Sequence, residues 1–509
     1  MGDLIELKLG GTELSVDDIV ALAEGRARLR LSRDVAFVER MEASRKALQT
    51  AMDSGAAIYG VTTGFGRACG KRIEAESTLE MTRNMTRFHG CGVGEPLPEI
   101  EVRAAMVCRL LSLARGYSGV GLELLQALVD MLNAGVTPLI PSQGSVGASG
   151  DLTPLNYLVA VMMGEREAFY QGRRMASAEA LEAAELKPYE FQPKEVLAVM
   201  NGTSVMTGIA AVACVRAERL LEAASCGAAL CVHALAGHAH HFEKGVFEAK
   251  PFPGQARVAA RLRELLTATG PVEESQEPQW LQDPYSLRCT PQVLGVLADA
   301  LDWMRPWIEC EANSANDNPL FDPESGAVWT AGNFFGGHVA FAMDGLKAAL
   351  ARVADLADRQ FALLIDVRFS RGLPADLVPE EAGNLHHGFK AIQILTSSLA
   401  VEMAKDCMPA AVFSRSTESH NQDTVSLGTI AARDASRLCL MGARLLATHL
   451  LAGAQAAELR GGLEQRPALA DCLRRIREHA SFMVADRVMD AEIEELAQLL
   501  LERRSFLAN

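Results

Sequence analysis

HVAFAMDGLKAALARVADLADRQFALLID, residues 338 to 366, keeps apolar residues at helical spacing with few breakers along its length. As one helix it would span about 40 Å. A second stretch, TVSLGTIAARDASRLCLMGARLLATHLLAGAQAAELR at 424–460, is longer still, and Gly428, Gly442 and Gly453 are tolerable interruptions in it. Helices of this length stack side by side, each burying a stripe on its neighbours. The expected fold is therefore mainly α, with a long helical bundle beyond about residue 200. The C-terminal RIREHASFMVADRVMDAEIEELAQLLLERRSFLAN, 475–509, predicts two more helices.

Upstream the texture differs. Short helical stretches alternate with glycine-rich breaks: YGVTTGFG (59–66), HGCGVGEPL (89–97) and QGSVGASGD (143–151). The polar segment 164–195 reads as a surface excursion before the next buried element, VLAVMNGTSVMTGIAAVACV (196–215). Two domains are expected, a loop-rich one over 1–205 and a helical one over 206–509.

Composition excludes several function classes. Hydrophobic residues are 49% of the 509, charged residues 22% and aromatic residues 6%, which suits an Ala/Leu-rich helical protein and not a disordered chain. A formal net charge of −15 argues against nucleic acid as partner, because phosphate binding needs concentrated Lys and Arg. The 11 cysteines are scattered without a CxxC pair, which predicts reduced thiols in a cytoplasm. The N-terminal MGDLIELKLGG lacks a basic and an apolar signal region, and the apolar run from Val205 ends at Arg216, short of the roughly 20 residues that cross a bilayer. No targeting signal and no membrane partner are expected.

Polar islands interrupt the apolar country: MNGTS (200–204), QDPYSLRCTPQ (282–292), ANSANDNPL (312–320) and STESHNQDTVSLG (416–428). Buried amides are costly unless paired, so such clusters either cap helix ends or converge on a ligand. Arg288 is the natural carboxylate clamp among them, since a guanidinium holds both oxygens at once; an ordinary ion pair is the alternative. The histidines of HALAGHAHH (His233, His238, His240, His241) have suggestive spacing, but no HExxH and no poised Cys or carboxylate accompany them. Core or interface histidines are expected there, and no metal.

The stretch SVGASGDLTPL, 145–155, gathers four small residues before an acid, a threonine and a proline. It is not a GxSxG elbow, it lacks the Lys of a P-loop, and no strand-then-helix unit surrounds it as a dinucleotide fingerprint requires. Asp151, Thr153 and Pro154 are helix-starting signals, so the glycines form a tight turn delivered to a helix N-terminus.

These residues resemble the aromatic amino acid ammonia-lyase family, which includes histidine, phenylalanine and tyrosine ammonia-lyases and related aminomutases. The resemblance runs in order through YGVTTGFG, GVGEPL, GSVGASGDLTPL, MNGTS, QDPYSLRC, NSANDNPL, GNF and HNQD, covering nearly the whole chain. It implies a fumarase/aspartase-like fold, a long central bundle with the N-terminal domain carrying the prosthetic group. It also implies that Ala148, Ser149 and Gly150 cyclise, with loss of two waters, to a 4-methylidene-imidazol-5-one, so that no external cofactor is needed. Closure brings the Gly150 nitrogen to the Ala148 carbonyl carbon, a compression suited to a glycine-flanked turn.

By the same resemblance Tyr59 is the base that removes the β-proton. An ordinary tyrosine has a pKa near 10, so it needs a positive surround, to which the helix opened by Asp151 would contribute. Arg288 would bind the substrate carboxylate, with Tyr285 and Asn318 assisting. Asn201 and Gln282 would contact the substrate or the prosthetic carbonyl, and Phe334 would wall the ring. Lys390, Glu418, Asn421 and Gln422 match further binding positions. The family implies a homotetramer whose active sites are shared between subunits.

Two adjacent residues meet the ring end of the substrate in this family: typically Ser-His in histidine lyases, His-Leu in tyrosine lyases and Phe-Leu in plant phenylalanine lyases. Phe88-His89 is a hybrid, an apolar wall beside a hydrogen-bonding imidazole. Histidine lyases carry a glutamate where Gln422 stands. The expected substrate is therefore L-tyrosine or L-phenylalanine, giving coumarate or cinnamate. A histidine ammonia-lyase giving urocanate and an aromatic 2,3-aminomutase are the enzyme alternatives. A non-catalytic scaffold that kept the fold is opposed by the intact triplet, Tyr59 and Arg288.

Overall fold

A computed structural model describes residues 5–73, 78–269, 281–502 and 507. The chain forms two compact units, one of Met1–Val215, Arg305–Asp344 and Pro409–Arg433, the other of Arg216–Met304, Gly345–Met408 and Asp434–Asn509.

Long helices dominate the chain. Gly337–Ile365 forms one uninterrupted helix, as its apolar spacing predicts. Gly428–Arg460 is longer, yet it starts four residues later than the sequence suggests. The physical reason lies in Ser426 and Leu427, which are engaged elsewhere. Leu427 takes a left-handed φ of 56° and donates its N–H to the Val146 carbonyl at 3.0 Å. Of the two helices expected over 475–509, one is Asp490–Glu502, while the other, Pro467–Arg477, begins earlier and only its last three residues fall in that stretch; residues 503–506 and 508–509 lie outside the described residues. The mainly α, fumarase-like architecture is thus the observed one.

Within the second unit, small residues set the helix spacing. The buried face of the 434–460 segment is largely Ala, with Ala443, Ala447, Ala452, Ala454, Ala456 and Ala457 all inaccessible. Gly227 leaves room for the His449 ring, which a Cβ there would strike. Polar side chains in this core pair in places: the Thr396 and Thr448 hydroxyls lie 2.7 Å apart, and the Gln455 amide both accepts from Met483 N–H and donates to its carbonyl. The Gly428–Arg460 helix is apolar and long enough to cross a membrane, but 89% of its most apolar window is buried inside the fold, as in a core helix.

The first unit is richer in loops and short sheets. Ile5–Leu9 pairs in parallel with Ala27–Leu31, and Val93–Pro96 pairs antiparallel with Pro141–Gln143. The polar excursion at 164–195 contains a hairpin, Glu167–Tyr170 with Arg173–Ala176. Its two-residue turn, Gln171-Gly172, has φ of 49° and 72°, the left-handed pair that matches strand twist. Helices Glu99–Leu113, Leu152–Met162 and Glu195–Met200 form the buried floor of this unit.

That floor holds charge. Lys194 and Asp317 are 0% exposed and joined at 2.7 Å. Arg109 is equally buried, and Glu311 accepts from the Thr203 hydroxyl at 2.6 Å and the Asn316 amide at 2.9 Å. Burial lowers the Lys194 pKa and raises that of Glu311. Breaking a buried pair strands one desolvated charge, so Lys194→Met should lower unfolding free energy by roughly 3–5 kcal/mol in chemical denaturation, and a change below about 1 kcal/mol would contradict a fully buried pair.

Candidate active site

Residues 147–151 form a tight turn. The Gly150 N–H donates to the Gly147 carbonyl at 3.2 Å, and Ser149 and Gly150 have φ of 51° and 74°. Gly150 then runs beside Gly202 as a parallel bridge: Gly202 N–H donates to Ser149 O at 3.2 Å, and Asp151 N–H donates to Gly202 O at 2.7 Å. A Cβ on Gly150 would overlap the Gly202 carbonyl. No side chain fits between these backbones.

Asp151 precedes the helix Leu152–Met162, as its sequence signals predict, but its carboxylate makes no cap bond to that helix. It accepts instead from Val205 and Met206 N–H, both at 2.9 Å, and from the Thr429 hydroxyl. It therefore caps the helix Ser204–Ala234 and locks MNGTS against the turn. Burial pushes its pKa up to about 6, against the pull of these donors.

Ser149 opens onto a cavity of about 550 Å³ that is also lined by Tyr59, Phe88, His89, Asn201, Glu418 and Gln422. Seven sequence-predicted residues thus meet in one place. The Gln422 amide nitrogen points to Ser149 Oγ at 3.3 Å, its orientation set by Thr417 Oγ1 donating to Gln422 Oε1 at 3.1 Å. Asn201 lines the same cavity at 2% exposure, and its buried side-chain oxygen has no protein partner. Such an atom calls for a donor on a bound group.

Tyr59 Oη accepts from Gly66 N–H at 2.9 Å and its ring meets Phe65 edge-on. The positive surround expected for this residue is not what the chain supplies. Burial raises the phenol pKa, and the Glu418 carboxylate adds to the rise, while the Gly66 N–H partly opposes it. Glu418 is held by Arg67 N–H at 2.8 Å and begins three consecutive left-handed residues, Glu418 to His420, a strained loop that lays the carboxylate where Gly66 has no side chain.

Phe88 ends the helix Thr78–Phe88 and is 59% exposed, its ring 4.2 Å from that of His89. Burial lowers the His89 pKa to about 4, so this imidazole is neutral near pH 7. The same helix brings Glu80, Met81, Asn84 and Met85 to the cavity, residues that sequence motifs miss. Their signal is the i, i+4 spacing of 80, 84 and 88 and of 81 and 85 along one face.

Other predicted residues are elsewhere. Asn318 and Phe334 belong to the same unit but not to this lining; the Asn318 side chain accepts from Ala331 N–H at 3.0 Å. Asn421 is exposed beside Gln422. Gln282, Tyr285, Arg288 and Lys390 belong to the second unit. There Gln282 and Arg288 line a separate cavity of about 480 Å³ with His240 and His241. The Arg288 guanidinium stacks 4.5 Å from the Tyr285 ring centre, and its buried Nε has no protein partner. Lys390 is exposed at the start of the helix Lys390–Asp406. Among the described residues no group of three or more His, Cys, Asp or Glu side chains is placed to hold a metal ion.

Comparison with known proteins agrees with these features. The aromatic amino acid lyase family model matches residues 14–478. The histidine ammonia-lyase of Geobacillus kaustophilus is 40% identical over 89% of each chain, and that of Treponema denticola 37% identical over 96% of each. The solved tyrosine aminomutase of Streptomyces globisporus superposes with a TM-score of 0.92 at 33% identity, covering 99% of this chain and 98% of that one.

The geometry around Tyr59 has a measurable consequence. A nearby negative charge disfavours phenolate, so Glu418→Gln should lower the pH at which Tyr59 ionises. Ultraviolet difference titration against Tyr59→Phe isolates this residue; an unchanged or raised midpoint would separate the two groups.

Proposed function

This chain belongs to the aromatic amino acid lyase family and is an enzyme of the ammonia-lyase type, and we propose that it eliminates ammonia from L-histidine to give urocanate. The family's prosthetic group forms from an Ala-Ser-Gly segment of the chain itself, without an external cofactor. Ala148, Ser149 and Gly150 fit that requirement, because the turn is closed by a Gly150-to-Gly147 bond and leaves no room for a Cβ at residue 150. The observation that carries the reading is that Ser149 and Tyr59 share one cavity with Asn201, whose side-chain oxygen has no protein partner.

The group, once formed, supplies an electrophilic alkene carbon that captures the amine. This chain's side chains do the remaining work in the proposal. Tyr59 accepts the β-proton, Asn201 accepts from the amine, and Gln422 orients toward Ser149. Arg288, with Gln282, Tyr285 and Lys390, meets the substrate from a neighbouring copy in a homotetramer, which also brings the positive charge that Tyr59 lacks within its own unit. Asn318, Phe334 and Asn421 complete the shared site. A cytoplasmic location accords with the free cysteines of the described residues.

Histidine is favoured for two reasons. The relatives named above are histidine ammonia-lyases, aligned over nearly the whole chain. The cavity also contains the Glu80 and Glu418 carboxylates and a neutral His89, acceptors that an imidazole N–H uses and a phenyl ring does not. Tyrosine or phenylalanine is the second reading, supported by the apolar wall of Phe65, Met81, Met85 and Phe88 and by an amide at Gln422. The tyrosine aminomutase likeness supports a β-amino acid as a further product.

Parallel ultraviolet assays with His, Tyr and Phe, with chromatography for β-amino acids, discriminate these. Urocanate should form with the highest kcat/KM; preferred release of coumarate or cinnamate would replace histidine with the second reading. Ser149→Ala should abolish turnover and restore the full sequence mass, and retained activity would remove Ser149 from the chemistry.

A further inference from the structure

Arg109 has no part in the site as described so far. It lies on the helix Glu99–Leu113, completely buried, with a network of its own. Nη1 donates to the Asn201 carbonyl at 2.6 Å, and Nη2 donates to Ser112 Oγ. Ser112 Oγ in turn accepts from Asn316 N–H at 3.0 Å. Two features argue that this arrangement is more than core filling.

First, the Asn201 carbonyl and the Gly202 N–H belong to one peptide group. The carbonyl accepts from Arg109, and the N–H donates to Ser149 O at 3.2 Å. A cationic donor on the oxygen of an amide withdraws density from its nitrogen, so the N–H becomes a stronger donor. The buried charge therefore reaches the Ser149 oxygen through a single peptide. Second, Gly202 has φ of 143°, and a Cβ there would overlap both Arg109 Nη1 and the Asn316 carbonyl. The close approach exists only because that residue is glycine.

Ser149 O is the oxygen on which this matters. Cyclisation places the Ser149 carbonyl carbon inside the ring, between Ser149 Cα and Gly150 N, so its oxygen is the ring carbonyl. When a nucleophile bonds to Ser149 Cβ, the Cα=Cβ pair moves toward that oxygen, and the proton of the nucleophile is left to the oxygen or to solvent. Donors aimed at developing negative charge are the strongest lever an enzyme has on such an addition.

We propose that Arg109 is a positioning residue that polarises the Asn201–Gly202 peptide and so sets the electrophilicity of the group built on Ser149. This rests on the self-formed prosthetic group and extends it to a residue that does not line the cavity. Asp317 and Asp151 balance the charge, both acting on Arg109 as opposite charges, while Asp317 also pairs with Lys194 at 2.7 Å.

The test uses the full-length protein and a small thiol as nucleophile, with intact mass, thiol-adduct rate and thermal midpoint as readouts. Wild type should weigh two waters less than its sequence and add one thiol; full sequence mass in wild type would overturn the prosthetic-group reading and this proposal with it. Arg109→Lys keeps a charge but not the two-armed fork. It should fold and either dehydrate more slowly or add thiol about tenfold more slowly. A folded Arg109→Lys protein that is fully dehydrated and adds thiol at the wild-type rate overturns the proposal. If Arg109→Lys does not fold, Ser112→Ala decides, because it loosens the guanidinium and leaves its charge: slower addition supports the role, and wild-type addition overturns it.

Discussion

Two backbone segments, 149–151 and 201–203, run side by side with no side chain between them, and the rest of the first unit serves that contact. The approach of Gly202 leaves no room for a Cβ on Gly150, and the Asn316 carbonyl and Arg109 leave none for a Cβ on Gly202. Such closeness is not self-supporting, since the peptides offer only two mutual hydrogen bonds here, Gly202 N–H to Ser149 O and Asp151 N–H to Gly202 O. It holds because Asp151 is fastened to the start of the helix Ser204–Ala234 and Arg109 is fastened to the Asn201 carbonyl. One acid and one base therefore grip the pair of strands from opposite signs of charge.

Buried charge is an expensive way to build a floor. Lys194, Asp317, Arg109 and Asp151 are all fully enclosed, and an apolar replacement of a buried ion pair is often as stable or more so. Their location offers a reason for keeping them. Each touches a segment that carries a proposed site residue: Lys194 precedes the helix Glu195–Met200 that ends at Asn201, Asp317 adjoins Asn318, and Asp151 follows the triplet. Hydrophobic packing would hold these segments together but would not orient their peptides. Directional bonds from charged groups do both.

Much of this was legible in the sequence, and the gaps have physical causes. Long apolar periodicity announces the helices Gly337–Ile365 and Gly428–Arg460, because burial on one stripe forces that spacing. The start of the second is misread because Leu427 bonds back to the Val146 carbonyl and Ser426 packs where Gly147 has no side chain, a tertiary constraint with no local signature. Asp151 is correctly marked as a helix-starting residue, yet the helix it caps begins some 50 residues later. Local rules identify a capping residue and not its client. The surround of Tyr59 is misjudged for the same reason: the Glu418 carboxylate arrives from a distant strained loop, and Arg288 belongs to the second unit. The charged floor escapes notice altogether, since a lone Arg or Lys in a helix reads as a surface residue until its burial is known.

The ring end of the cavity illustrates how local and global likeness separate. Phe88, His89 and Gln422 are three positions, and read alone they favour a carbocyclic ring; several hundred aligned residues resemble histidine ammonia-lyases instead. The physical weights differ. Phe88 is 59% exposed, so as an apolar wall it contributes only a fraction of its area, and adding or removing such a wall changes selectivity modestly. A satisfied or stranded hydrogen bond discriminates far more strongly, because a buried polar group without its partner keeps the full desolvation penalty. Of the acceptors in this cavity, the Glu80 and Glu418 carboxylates are exposed and His89 is half-buried and neutral, so in the proposed reading they act on the choice of substrate alongside the aromatic side chain and do not outweigh it. An imidazole with its N–H donor answers those acceptors, and a tyrosine hydroxyl answers them with one donor of its own. A phenyl ring has no donor for them, so this ground sets phenylalanine below the other two, and the preference for histidine in the proposed reading comes from the likeness to histidine ammonia-lyases.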